Sequence, residues 1–241
     1  MTMETKLIYM EHMDHYICEA QVMEVFSEEE KTIVVLDQTV FYPQGGGQPY
    51  DTGIILSLNK KFFVEEVRFV DGVVRHIGTF EGEALNAGET VTCSVDNERR
   101  RLNTRLHSAG HLIDMAFKRM GITWMPGKGY HFPNGPYVEY TGSVSGIDVE
   151  KLKIDLENTC NELIAEEIST KVLFMAKEEM GSVCMFVPEY VPEGKPGRVV
   201  FYGDFGIPCG GTHVTNLREI GTMTIRKIKQ DGERVRVSYS V

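Results

Sequence analysis

Cys209 and His213, in the stretch CGGTHV, set a thiol and an imidazole four positions apart around two glycines. A thiolate and a neutral imidazole are both good ligands for zinc. About a hundred residues upstream, LHSAGHLIDMAF places His107 and His111 at i and i+4, on one face of a helix. Either pair alone says little, because helices place His-x-x-x-His pairs by chance and a lone cysteine behaves as a small hydrophobe. Together, His107, His111, Cys209 and His213 predict a metal site with zinc as the ion.

The elements that must hold these residues follow from periodicity. Leu102, Leu106, Ala109, Ile113, Ala116, Phe117 and Met120 recur at spacings of three and four, the pattern of an amphipathic helix. Both histidines lie beside that apolar stripe, which predicts that they face a cleft rim or a partly buried pocket. Gly110 costs the helix about 1 kcal/mol relative to alanine and is expected to let another group approach closely.

Residues 1 to about 95 read as mostly strand, with TIVVLDQTVFYP, a hairpin signal at Asp71-Gly72 and the strand ETVTCSV. Between them sits YPQGGGQPYDTG, residues 42–53, where three successive glycines leave the backbone free to adopt positive φ. It lacks the Lys-Ser/Thr of a P-loop and the spacing of a dinucleotide fingerprint. Gln44 and Gln48 flank the glycines, either to bond substrate or a bridging water, or to fix the loop itself.

From about 96 onward the pattern is mixed. The histidine helix precedes the turn-rich WMPGKGYHFPNGPYVEYTG and a second helix from roughly Asp148 to Ile168. The strand KVLFMA, a brief helical stretch, the loop VPEYVPEGKPG and the strand RVVFYG lead into the cysteine loop. The end, TMTIRKIKQDGERVRVSYSV, is a second hairpin signal turning at Asp231-Gly232.

A chain of 241 residues, 42% hydrophobic and 25% charged, has an ordinary globular composition. It holds no apolar run long enough to span a membrane and no apolar run fit for a signal peptide at its start. Its five cysteines are scattered and far apart, which suits a reducing cytoplasm better than a disulfide scaffold. A net charge of −10 argues against indiscriminate nucleic-acid binding. Two local basic surfaces remain: NERRRLNTR, with Arg99, Arg100, Arg101 and Arg105, and IRKIKQDGERVRV, with Arg226, Lys227, Lys229, Arg234 and Arg236.

With FYPQGGGQPYDTG at 41–53, His-x-x-x-His at 107–111 and CGGTHV at 209–214, the chain resembles the alanyl-tRNA editing proteins of the AlaX family. These are related to the editing domain of alanyl-tRNA synthetase. The resemblance covers nearly the whole chain, and the Gly-rich half points to the longer, two-domain kind. It implies an α+β fold: a small β-barrel-like domain over residues 1–95, then a zinc-binding editing domain over 96–241 of the type shared by threonyl- and alanyl-tRNA synthetases. It implies ATP-independent trans-editing of mischarged tRNA(Ala), chiefly seryl-tRNA(Ala) and sometimes glycyl-tRNA(Ala). The oligomeric state stays open, with a monomer slightly favoured. The metal ligands carry over to His107, His111, Cys209 and His213. Beside that carry-over, His107, His111, Cys209 and Gln48 are the candidate catalytic residues.

Two positions depart from the synthetase pattern. The usual His-Thr-Ala-Thr-His reads His107-Ser108-Ala109-Gly110-His111, so the threonine implicated in substrate choice becomes Gly110, leaving more room. A Gln-Lys-Gly turn becomes Gly127-Lys128-Gly129. Ser108 stands as a helix-surface hydroxyl that is a candidate for recognising a serine side chain.

An aminoacyl ester is already activated, so an editing site needs positioning and modest electrostatic help. A complete His₃Cys shell is closed, as in structural sites, so catalysis requires one ligand to give way or the metal to become five-coordinate. A zinc-stabilised tRNA- or partner-binding module without hydrolysis, or a zinc hydrolase of another small ester or amide, are the competing readings. Ser108 in the glutamate position of His-Glu-x-x-His speaks against a zincin protease.

Overall fold

The computed structural model describes residues 4–188 and 196–241. The chain divides into two compact units, residues 1–45 with 49–102 and residues 46–48 with 103–241. The glycine-rich loop is thus itself divided, its Gly46–Gln48 segment grouping with the later residues.

In the first unit, β1 (Ile17–Glu28), β2 (Lys31–Leu36), β3 (Gly53–Ser57), β4 (Lys60–Val70), β5 (Val73–Glu81) and β6 (Thr90–Val95) close into a barrel in the order β1-β2-β5-β4-β3-β6. Every neighbouring pair is antiparallel. The alternation of apolar and polar residues along β6 sends Val91, Cys93 and Val95 inward, where they join Val34, Leu36, Phe41, Ile55 and Phe62 in one core. The hairpin at Asp71-Gly72 has both residues at positive φ, 50° and 87°, which matches the twist of its strands. The cysteines, spaced far apart in sequence, are not all apart in space: Cys18 and Cys93 face each other across β1 and β6. Both are free thiols.

The arginines of NERRRLNTR have a structural use that their charge concealed. Arg100 is wholly buried and bonds Asp51, also wholly buried, through Nε at 3.0 and 2.9 Å and through Nη2. Its remaining donors reach the carbonyls of Val40 at 2.5 Å and Met13 at 3.4 Å. Arg105 donates twice to the Ile220 carbonyl, and of the three arginines at 100, 101 and 105 only Arg101 is exposed.

The helix α1 (Asn97–Arg119) runs through the division, which falls after Leu102. Beyond it, β7 (Met125–Tyr130), β8 (Tyr137–Thr141), α2 (Val149–Ala165), β9 (Thr170–Met175), β10 (Gly197–Tyr202), β11 (Phe205–Pro208), β12 (Thr224–Asp231) and β13 (Arg234–Ser240) complete the second unit. Two antiparallel sheets result, β12-β13-β8-β7 and β9-β10-β11. The C-terminal hairpin turns one residue later than expected, at Gly232-Glu233, because Asp231 still pairs with Arg234 and Gly232 takes φ 60°. Most of the loop VPEYVPEGKPG lies outside the described residues.

The amphipathic pattern of α1 understates its burial. Leu106, Ala109, Leu112, Ile113, Ala116 and Phe117 are buried, and so are Asn103, Thr104, Ser108 and Asp114 on other faces. A helix covered nearly all round presents its polar groups to the interior, where each needs a partner.

Candidate metal centre

The two histidines of α1 meet the CGGTHV loop, which follows β11. The ligand atoms of His107, His111, Cys209 and His213 all lie within 4.8 Å of one another. His107 Nε2 stands 3.3 Å from His111 Nε2 and 3.3 Å from Cys209 Sγ. Zinc–nitrogen bonds of about 2.0–2.1 Å in a tetrahedron require nitrogen pairs about 3.3–3.4 Å apart. The spacing and the donor set therefore suit zinc.

Each ring is held by its other nitrogen. His107 Nδ1 lies 2.7 Å from Gln48 Oε1, which also accepts from the Thr212 N–H at 3.0 Å. An oxygen receiving that N–H is an acceptor, so His107 Nδ1 is the donor and its Nε2 lone pair is left for the cluster. His111 Nδ1 meets Asp114 Oδ2 at 3.1 Å, and Asp114 Oδ1 accepts from the Tyr140 hydroxyl at 2.5 Å. His213 Nδ1 meets the Tyr202 hydroxyl at 2.8 Å. The Gly211 N–H points at Cys209 Sγ from 3.4 Å, and Arg198 holds the loop through the carbonyls of Cys209 and Gly211. A Cβ on Gly211 would stand 2.1 Å from Cε1 of His107, which explains the glycine before Thr212.

Burial drives the His107 and His213 rings well below the usual histidine range, with neighbouring cationic groups adding to it. Both are therefore neutral, the form that binds metal. At His111 burial acts in the same direction, but the Asp114 carboxylate and the Cys209 sulfur outweigh it and hold the ring up at about 10. Burial raises the Cys209 thiol, and His111 more than offsets this to leave it lowered. His107 and His213 are buried, while His111 and Cys209 are partly exposed and mark the open side.

A fourth histidine, which spacing alone did not single out, completes the arrangement. His131 stacks on His107 with ring centroids 4.6 Å apart and planes 16° from parallel. Its Nδ1 bonds the Tyr239 hydroxyl at 2.6 Å, and its backbone N–H donates to the Gly47 carbonyl at 2.9 Å. Burial, then the charge on His111, pushes it down to about 3. Gly47, at φ 77°, packs so closely that a Cβ there would lie 2.3 Å from the Gly129 carbonyl oxygen. Only its glycine neighbours, reading GGG in the N-terminal motif and GKG before His131, hinted at such an approach.

Similarity to known proteins extends over most of the chain. Residues 2–99 match the family model for class II (A) tRNA synthetases, and residues 198–236 the model for the threonyl and alanyl tRNA synthetase second additional domain. The alanyl-tRNA editing protein AlaX-L of Pyrococcus horikoshii is 30% identical over 220 residues, covering 89% of this chain and 52% of that protein. The alanine–tRNA ligase of Methanothrix thermoacetophila is 36% identical over 210 residues, covering 84% of this chain and 22% of the ligase. The chain is a relative of both AlaX-L and the alanine–tRNA ligases.

It spans about half of the AlaX-L relative and about a quarter of the alanine–tRNA ligases it matches. Against the AlaX expectations, two side chains and the space beside one glycine differ from their sequence reading. Gln48 is fully buried, with Oε1 on His107 and Thr212 and Nε2 donating to Thr212 Oγ1 at 2.9 Å, so it positions a ligand instead of meeting substrate. Ser108 is also fully buried and accepts from the Val214 N–H at 3.0 Å, so it is no surface hydroxyl. The room expected beside Gly110 is filled by the His131 ring. Gln44 is exposed.

Proposed function

We propose that this protein is an editing protein of the AlaX kind that hydrolyses the ester of mischarged tRNA(Ala), chiefly seryl-tRNA(Ala) and also glycyl-tRNA(Ala), at a zinc ion held by His107, His111, Cys209 and His213. One observation carries the reading: four donors from two distant segments converge within 4.8 Å, with all three ring orientations fixed by buried partners. When bound, zinc would supply Lewis acidity toward an ester carbonyl or a water molecule.

The chain's own residues prepare that chemistry. Gln48 sets the tautomer of His107, and Asp114, anchored by Tyr140, accepts the Nδ1 proton of His111. Such outer partners orient the ligands and raise their basicity. The partly exposed edge formed by His111 and Cys209 is where an aminoacyl group reaches the site, so any ligand that yields to substrate belongs to this edge. The reaction adds water to the ester and releases the free amino acid and the terminal ribose hydroxyl.

Deacylation of seryl-, glycyl- and alanyl-tRNA(Ala) and of seryl-tRNA(Thr), at equal protein concentration, tests this reading. Seryl-tRNA(Ala) should be hydrolysed orders of magnitude faster than alanyl-tRNA(Ala), since a site that bonds a hydroxyl discriminates strongly against its absence. Equal rates for the two esters would remove the editing role. The closed donor set favours one second reading, a zinc-stabilised tRNA-binding module, which tRNA binding without turnover would establish.

A further inference from the structure

His131 turns toward the zinc ligands, and its two neighbours in the chain are part-exposed. The rings of Tyr130 and Phe132 stack with centroids 4.5 Å apart and planes 14° from parallel. Tyr130 stacks in turn on Tyr137, its direct partner across β7 and β8, at 5.3 Å and 19°. The Arg236 guanidinium lies over Tyr137, 4.2 Å from the ring centroid. Phe132, Tyr130, Tyr137 and Arg236 thus form one column of planar groups, all part-exposed.

The strand register surrounds this column with cations. One row across the sheet reads Lys227, Ser238, Tyr137, Tyr130, and the next reads Lys229, Arg236, Glu139. Lys227, Lys229 and Arg234 are exposed, and Glu139 is paired with Arg236 at 2.7 Å and Arg234 at 3.4 Å. The acids Asp231 and Glu233 are confined to the hairpin tip. In a chain of net charge −10, this sheet reverses the local sign.

We infer that this sheet face is a platform for unpaired bases at the 3′ end of a charged tRNA. A stack of flat groups beside a row of cations complements a single strand: bases extend the stack and phosphates meet Lys227 and Lys229. Duplex RNA keeps its base faces covered and gains nothing from the column. Because His131 lies between Tyr130 and Phe132, a strand bound there ends beside the zinc ligands. Naming this end of tRNA rests on the proposed hydrolase reading, whereas the preference for single-stranded RNA rests on the column alone.

The test measures binding of a fluorescein-labelled single-stranded RNA of about ten nucleotides ending in CCA, with a duplex of the same length as control. Tyr130→Ala and Phe132→Ala should each weaken binding at least about fivefold, while Phe132→Trp retains it. Zinc content and melting temperature should match the parent protein. Should either alanine variant fail to fold, Lys227→Gln with Lys229→Gln should still flatten the salt dependence of binding. Unchanged affinity in folded alanine variants, an unchanged salt slope in the lysine variant, or equal binding of duplex and single strand would overturn the platform. A protein that binds the strand through Phe132 but cleaves no aminoacyl ester keeps the platform and loses the hydrolase reading. Rapid seryl-tRNA(Ala) cleavage with KM unaffected by Tyr130→Ala or Phe132→Ala does the reverse.

Discussion

A Cβ on Gly110 would stand 2.4 Å from Cε1 and 2.9 Å from Nδ1 of His131, so the imidazole occupies the space of the missing side chain. The two positions form one unit, and their substitutions should couple. Gly110→Thr should lower stability and zinc affinity together, because displacing His131 disturbs the ring stacked on it, His107. Adding His131→Ala should recover part of that loss, with a coupling energy of about 0.5–3 kcal/mol in a urea-unfolding cycle. Strict additivity would show that the two residues are independent.

Zinc should be present at about one equivalent per chain, and His107→Ala or Cys209→Ala should abolish tight binding. Gln48→Ala should weaken zinc about 10–100-fold in a chelator competition, as expected when a ligand loses its orienting partner. Removing the metal should also lower the melting temperature, since its ligands join segments about a hundred residues apart. An unchanged zinc affinity in Gln48→Ala would mean that Thr212 and packing alone orient His107.

Arg100→Ala should act on folding and not on RNA. Removing one partner of a buried, fully bonded ion pair leaves Asp51 charged and uncompensated, at a cost of about 3–5 kcal/mol. Arg101→Ala, on the exposed side, should change stability by less than about 0.5 kcal/mol. Urea unfolding of the two variants side by side checks this, and a stable Arg100→Ala protein would contradict it.

His76 should make barrel stability depend on pH. Its Nδ1 donates to the Val34 carbonyl at 3.0 Å. Its Nε2 accepts from the Thr39 hydroxyl at 2.8 Å, a pattern only the neutral ring can satisfy. Burial lowers its pKa to about 4, below the unfolded value of 6.5. Between these values the unfolded chain binds a proton that the folded chain refuses. Stability is therefore complete above about pH 6.5 and declines as the pH falls toward about 4, by up to about 3 kcal/mol. His76→Gln should show a smaller loss between about pH 7 and about pH 5 in urea midpoints, whatever the other buried histidines add. Parallel pH profiles for the two proteins would rule out this contribution.

Much of the site was legible because its parts are local. The i, i+4 spacing of His107 and His111 is a property of one helix, and CGGTHV carries its two donors in five residues. Strand alternation and the Asp71-Gly72 turn likewise depend on neighbours in the chain, so four of the six barrel strands and their hairpin were readable, while Ile17–Glu28 and Gly53–Ser57 were not singled out. That the donors of the two motifs would come together followed from ligand chemistry, which is independent of fold.

Only the tertiary structure decided what each polar group faces. Arg100 reads as surface charge because arginine usually is, and its burial depends on Asp51, which lies 49 positions away. Gln48 and Ser108 looked available for substrate until their partners, Thr212 and Val214, arrived from more than a hundred residues downstream. His131 has no ligand spacing to any motif, and its position follows from the Gly47 carbonyl, the Tyr239 hydroxyl and the bare backbone of Gly110. Hydrogen-bond satisfaction and close packing are set by three-dimensional neighbours, which periodicity along a single chain does not encode.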